Sequence, residues 1–270
     1  MDAKYLSGKL RLGALAGAFA LIATSVQAKE WTSVTIATEG AYAPWNQTLP
    51  GGKLGGFEPE LLTTLCTHAQ LKCNLVAQDR DGMIPGLQAG KFDILMDVIS
   101  ITPEREKIIA FSRPYASTPA TFAVSDDAVL PKASPNDQAV VDGLRKQLKG
   151  KTIGIQSGTV YTKFIQDNFK DVAKICVYKT AQERDLDLAN GRIEASFDDL
   201  TYFTSGAVDK SIFVAGPKIG GPIWGPGEGL GFRKQDADLK AKFDAALASA
   251  IADGTVKTLS EKWFKTNVAP

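Results

Sequence analysis

Apolar and polar positions follow two periods along this chain. Short apolar runs at 34–38, 74–78, 92–101, 121–124, 152–155, 175–178, 194–197 and 213–215 read as strands, the 92–101 run as one covered on both faces. Between them the spacing turns helical: Leu61, Leu62, Leu65 and Ala69 repeat at helical intervals over 58–69. Further helices are predicted at 82–89, stopped by Gly90, and at 159–169. Thr180 and Glu183 form a capping box that opens a helix closed by Gly191. Another helix starts near Asp199, and 237–264 is helical with a break at Gly254. The polar stretch 125–150, with Pro131 and Pro135, leads into one more. Short strands alternating with helices predict an α/β fold with mostly parallel pairing. Two segments, LQAGKFDILMD (87–97) and LANGRIEASFD (188–198), share an order of helix end, glycine, base and acid-flanked strand. Two similar lobes produce such an echo, and so does chance.

Candidate chemistry concentrates at 90–115, GKFDILMDVISITPEREKIIAFSRPY. The buried strand 92–101 runs into a short helix with Thr102 as its N-cap, Pro103 in its first position and Arg105 in its first turn. Ser100, Thr102, free N–H groups and a guanidinium make this junction a collection of anion donors. Arg105 can hold a carboxylate through two parallel hydrogen bonds. It can equally pair with Glu104 or Glu106 on the surface.

Composition narrows the class. Lys and Arg total 31 against 30 Asp and Glu, a net charge of +1, so no basic excess argues for nucleic acid. The N-terminus has the pattern of an export signal: Lys4, Lys9 and Arg11, an apolar stretch at 12–25, and Val26-Gln27-Ala28 as a cleavage site. Cleavage leaves a mature chain starting at Lys29, and no cysteine follows the site to carry a lipid anchor. Export also changes the reading of the three cysteines. Cys66 and Cys73, with six residues between them, are expected to pair, stabilising by about 2–3 kcal/mol. Cys176 is left over in an apolar strand. With His68 the single histidine, neither a metal site nor a cofactor is expected.

A set of motifs carries a resemblance over the whole mature chain: ATEGAYAPWN (37–46), GFEPELLTTLC (56–66), DGMIPGLQAGKFDIL (81–95), SITPEREKIIAFSRPY (100–115) and DGTVKTLSEKWF (253–264). In that order they resemble the polar amino acid family of periplasmic solute-binding proteins that feed ABC importers. ATEGAYAPWN is most similar to the octopine/nopaline branch, beside the lysine/arginine/ornithine and histidine binders. The resemblance implies a monomeric two-lobe clamshell, each lobe a mostly parallel sheet flanked by helices. Lobe one would take 29–120 and 216–270, lobe two 121–215, with two crossings near 120–122 and 213–215. It also implies an amino acid or opine ligand swallowed between the lobes and a membrane permease as partner.

Carried over residue by residue, Arg105 and Ser100 take the ligand carboxylate, and Thr159 adds donors from the other lobe. Asp199 takes the α-amino group, Tyr42 packs on the side chain, and Glu39 meets a cationic end. Local readings compete: Asp199 as an N-cap, Glu39 as a solvated acid, Tyr42 as a cap on the core. Three departures bear on specificity. Arg80 stands where the family places an aromatic ring against Tyr42, Asp97 stands among floor positions that are usually small, and Val160 and Tyr161 replace polar residues. Arg80 and Asp97 can pair with each other, or Arg80 with a second ligand carboxylate. Two other functions share this fold: a cyclohexadienyl dehydratase-like enzyme, with Asp97 as its general acid, and a periplasmic amino acid sensor.

Overall fold

The computed structural model describes residues 30–126, 130 and 138–270. The export signal at 1–28, the new terminus at Lys29, and Pro131 and Pro135 lie outside the described residues. The chain forms two five-stranded sheets. In the first, Ser33–Thr38 lies between Lys72–Ala77 and Ile94–Leu95, parallel to both, and Gly231–Phe232 and Ala110–Phe111 complete it antiparallel. In the second, Thr152–Gln156 lies between Lys174–Tyr178 and Ala195–Asp199, parallel to both, with Ala120–Val124 and Phe213–Ile219 added antiparallel. The 87–97 and 188–198 echo therefore has a structural cause. Each segment ends a helix, turns at a left-handed glycine (Gly90, φ 74°; Gly191, φ 67°), and supplies the third strand of its sheet.

The strand expected over 92–101 is corrected: it is cut to Ile94–Leu95, with a separate bridge at Ser100. Phe92, Met96, Val98, Ile99 and Ile101 are all buried, which is why the run reads as a strand. Yet the backbone kinks at Val98, whose φ of 48° costs a β-branched residue about 1–3 kcal/mol. Hydropathy reports burial, not pairing.

Helix Phe57–Ala69 packs against Ala237–Ala252 and Thr255–Phe264, so the C-terminal helices close the first lobe. Trp45 meets Phe57 and Phe264 there, with ring centroids 5.3 and 4.4 Å apart. The Cys66–Cys73 disulfide ties the end of that first helix to strand Lys72–Ala77, and Cys176 is free and half-buried. Alkylation of the unreduced, unfolded protein is expected to label one thiol; labelling of three would contradict the bridge. Strand Phe213–Ile219 pairs with Ala120–Val124 at Phe213, Val214 and Ala215 and, after an irregularity, at Ile219, so the chain has not left the second sheet at 213–215. The returning chain threads Glu228 between Ser100 and Ala116. Gly225 is required just before this point: a Cβ there would lie 1.9 Å from the Ile101 carbonyl oxygen. Among the described residues no helix is long and apolar enough to cross a membrane, and no cluster of three potential ligands could hold a metal ion.

Candidate functional site

Tyr42, Arg80, Val98 and Ser100 of the first lobe face Gln156, Thr159, Tyr161 and Asp198 of the second. The cavity they bound has a volume of about 10 Å³, room for about one water. Side-chain hydrogen bonds cross the cleft between the two lobes. The Tyr42 hydroxyl donates to Asp198 Oδ1 at 2.6 Å, and Gln156 Nε2 donates to Glu39 Oε1 at 2.7 Å. Ser157 Oγ donates to Asp81 Oδ2 at 2.9 Å, and Arg105 Nη2 donates to the Gly158 carbonyl at 2.8 Å. The Tyr42 ring also stacks on Tyr202, centroids 4.6 Å apart and planes within 2°. A solute larger than water enters only when the lobes part, a hinge motion about the two crossings.

Arg105 is placed by its own short helix. Thr102 caps Pro103–Glu106 by accepting the Arg105 N–H at 3.3 Å. Arg105 Nη1 donates to the Ser100 carbonyl at 2.9 Å. The surface pairing with Glu104 or Glu106 is not formed: the hydrogen bonds of this guanidinium go to carbonyl oxygens. Burial, then the like charge of Arg80, lowers its pKa to about 10. Among the described residues no carboxylate pairs with it. Beside it, Thr159 precedes helix Val160–Phe169, and its hydroxyl donates back to the Gln156 carbonyl at 2.8 Å. The first turn of that helix lines the cavity, and its N–H groups have no side-chain cap.

The acids lie on both walls. Asp97 is fully buried; its Oδ1 accepts from the Glu39 N–H at 2.8 Å and Asn46 Nδ2 at 2.9 Å, and its Oδ2 pairs with Arg80 Nη1 at 2.6 Å. Burial favours a neutral Arg80, but Asp97 and Glu39 outweigh it and raise its pKa. Glu39 Oε2 is buried with no hydrogen-bond partner among the described residues, and burial followed by repulsion from Asp97 pushes its pKa up to about 7.

Asp199 is less available than the resemblance implies. Its two oxygens receive the Thr201 and Tyr202 N–H groups at 2.7 and 3.1 Å and the hydroxyls of Thr118 and Thr201. It caps helix Leu200–Thr204, the local reading of its position, and desolvation pushes its pKa up to about 6. Asp198, next to it, lines the cavity. Consecutive residues of a strand point to opposite faces, so one of the two turns away; sequence reading puts Asp199 at the ligand and Asp198 in a structural role, whereas Asp198 is the one lining the cavity.

Arg184 was not legible as a site residue. It is fully buried, pairs with Asp198, and donates from Nε to Asp185 at 2.9 Å, while Tyr202 donates to Asp185 at 2.5 Å. The buried positions of its helix are Ala181, Arg184, Asp185 and Leu188. That spacing of an arginine and an aspartate on the apolar face was the available signal.

These buried acids give a pH dependence with a definite sign. Glu39 and Asp199 protonate more easily folded than unfolded, as does Glu58, whose pKa burial and Asp97 raise to about 7. Their contribution is complete below the unfolded values of 3.8–4.5 and is lost as pH rises through about 6–7. The carboxylates with lowered pKa values, such as Glu60 and Asp253, act the other way, but only below their ordinary range. Thermal unfolding of the unliganded protein should therefore give a higher Tm at pH 5 than at pH 8; a Tm rising across that window would contradict the burial of these acids.

Two α/β lobes joined by two crossings, closing on an unpaired arginine and an acidic wall, define a clamshell binding protein. Residues 34–266 match the family described as bacterial extracellular solute-binding proteins, family 3. The chain belongs to that family. It is 38% identical to the octopine-binding periplasmic protein of Rhizobium meliloti, over 97% of this chain and all of that one. Among solved structures, a Salmonella typhimurium periplasmic binding protein of high arginine specificity superposes with a TM-score of 0.75 at 25% identity, covering 86% of this chain and 99% of its own. A Silicibacter pomeroyi periplasmic His/Glu/Gln/Arg/opine family-binding protein in complex with lysine superposes with a TM-score of 0.72 at 31% identity, covering 88% and 99%. These named relatives are binding proteins.

Proposed function

We propose that this chain is the periplasmic binding component of an ABC importer and captures an amino acid with a cationic side chain, or an opine built on one. One observation carries the reading: a single cleft holds an arginine without an anion, Arg105, and an acid with an unpartnered buried oxygen, Glu39. A ligand with a carboxylate at one end and a cation at the other compensates both. In this reading Arg105 and the helix N-terminus after Thr159 hold the α-carboxylate, with Ser100 beside them. Asp198, once Tyr42 leaves it, faces the α-ammonium, with Asp199 behind. Tyr42 lies along the side chain, and Glu39 meets the distal cation. The octopine- and arginine-binding relatives support the ligand class, and the leader pattern at 1–28 supports export to the periplasm.

A dehydratase reading finds no support in the geometry. Its one candidate acid, Asp97, already accepts from three donors and pairs with Arg80. Native mass spectrometry of gently purified protein, followed by calorimetry with arginine, lysine, ornithine, histidine and octopine, tests the proposal. Binding of at least one is expected at micromolar concentration or below; no heat from any of them at millimolar concentration would overturn it.

A further inference from the structure

Glu58 stands in the first turn of helix Phe57–Ala69, where an acid is favourable for the helix dipole. That role does not account for its bonds. The side chain is fully buried, and the hydrogen bonds its oxygens accept come from outside the helix. Oε1 accepts the Val98 N–H at 2.7 Å and the Tyr115 hydroxyl; Oε2 accepts Asn46 Nδ2 at 2.7 Å. The Tyr115 oxygen is also 3.1 Å from the Val98 nitrogen, so the same N–H is held twice. Asn46 extends the chain of bonds to Asp97 Oδ1 at 2.9 Å.

Val98 is an unusual residue to be held in this way. Among the described residues three non-glycines have positive φ, and the other two, Gln70 and Lys265, end helices. Val98 is β-branched and mid-run, where a left-handed backbone has no local cause. The kink has a consequence on the cleft side. Arg80 Nη1 donates to the Asp97 carbonyl at 2.9 Å and to its carboxylate, while Nη2 reaches the Val98 carbonyl at 3.4 Å. Both carbonyls of the corner thus turn toward one guanidinium, which lines the cavity with Val98.

We infer that Glu58 is a positioning residue for the cleft: it locks the Asp97–Val98 corner in its left-handed form, and through that corner fixes Arg80. Glu58 touches no ligand. It sets where the cleft's second guanidinium sits relative to Arg105 and Glu39, and so how a charged side chain is received. This step rests on the ligand reading above for its effect on affinity, but not for its effect on Arg80.

The test uses the full mature chain and the variants Glu58→Gln, Arg80→Lys and the two combined. Arginine is the probe ligand, and the Arg80 guanidinium NMR resonances of the unliganded protein are the second readout. Glu58→Gln keeps the shape but replaces an acceptor with a donor facing Asn46. It is expected to shift the Arg80 resonances and weaken arginine binding about tenfold or more. In the Arg80→Lys background the same change should weaken binding less than threefold further, because both act through one group. Tyr115→Phe, which removes one of the two groups on the Val98 N–H, should shift the Arg80 resonances in the same direction by less; it serves where Glu58→Gln does not fold. Unmoved Arg80 resonances in the folded variant, or full additivity with Arg80→Lys, would overturn the inference and leave Glu58 a structural acid. If the unsubstituted protein binds no arginine while Glu58→Gln still moves Arg80, the ligand assignment fails and the positioning role stands.

Discussion

Replacing Arg105 with alanine is expected to abolish useful binding of every ligand the cleft takes. The guanidinium already carries the cost of desolvation and of Arg80's like charge, seen in its pKa of about 10. A carboxylate arriving in the closed cleft relieves that cost, and the charge-assisted pair is sealed from water by closure. Without Arg105 the carboxylate is buried with only N–H and hydroxyl donors. Losing one partner of such a pair costs about 2–5 kcal/mol, roughly 30- to several-thousand-fold in Kd. Arg105 also spans the lobes through Gly158, so the alanine variant should open more readily in the absence of ligand. Calorimetry against arginine, lysine and octopine reads the first effect, and small-angle scattering of the unliganded protein reads the second. Near-native affinity in Arg105→Ala would remove the cleft assignment altogether.

Much of this site was legible because its determinants are local. Thr102 and Arg105 are three residues apart, as are Thr180 and Glu183, and the structure forms both caps. The glycine-centred echo predicts where two equivalent strands fall, and both sheets place them third in order. What sequence did not yield depends on partners far along the chain. Asp97 is bonded to Arg80, Asn46 and Glu39, which are 17, 51 and 58 positions away. No local pattern announces that Asp97 leaves the strand pairing with Val98, or that Glu58 reaches under the floor to hold it. Which of Asp198 and Asp199 lines the cavity depends on which face of Ala195–Asp199 meets the other lobe, a tertiary fact, and it is Asp198 rather than the expected Asp199.

Arg80→Met should destabilise the unliganded protein by about 3–5 kcal/mol, the scale for removing one partner of a buried ion pair. Arg80 and Asp97 have side chains 6% and 0% exposed and meet at 2.6 Å, the one ion pair of Asp97 among the described residues. Methionine matches the volume but strands a carboxylate beside Glu39, whose own proton affinity is already raised by Asp97. Urea unfolding should show a lower midpoint with an unchanged m-value. The variant should also discriminate differently among ligands. With Arg80 gone, Glu39 and Asp97 form an uncompensated acid pair at the distal end of the cleft. A guanidinium or ammonium arriving there replaces the lost charge, whereas a neutral side chain does not. Arginine should therefore raise the Tm of Arg80→Met by more than it raises that of the unsubstituted protein, and glutamine should not. Equal shifts from arginine and glutamine would place the distal cation away from Glu39, while an unchanged midpoint without ligand would mean that solvent, not Arg80, compensates Asp97.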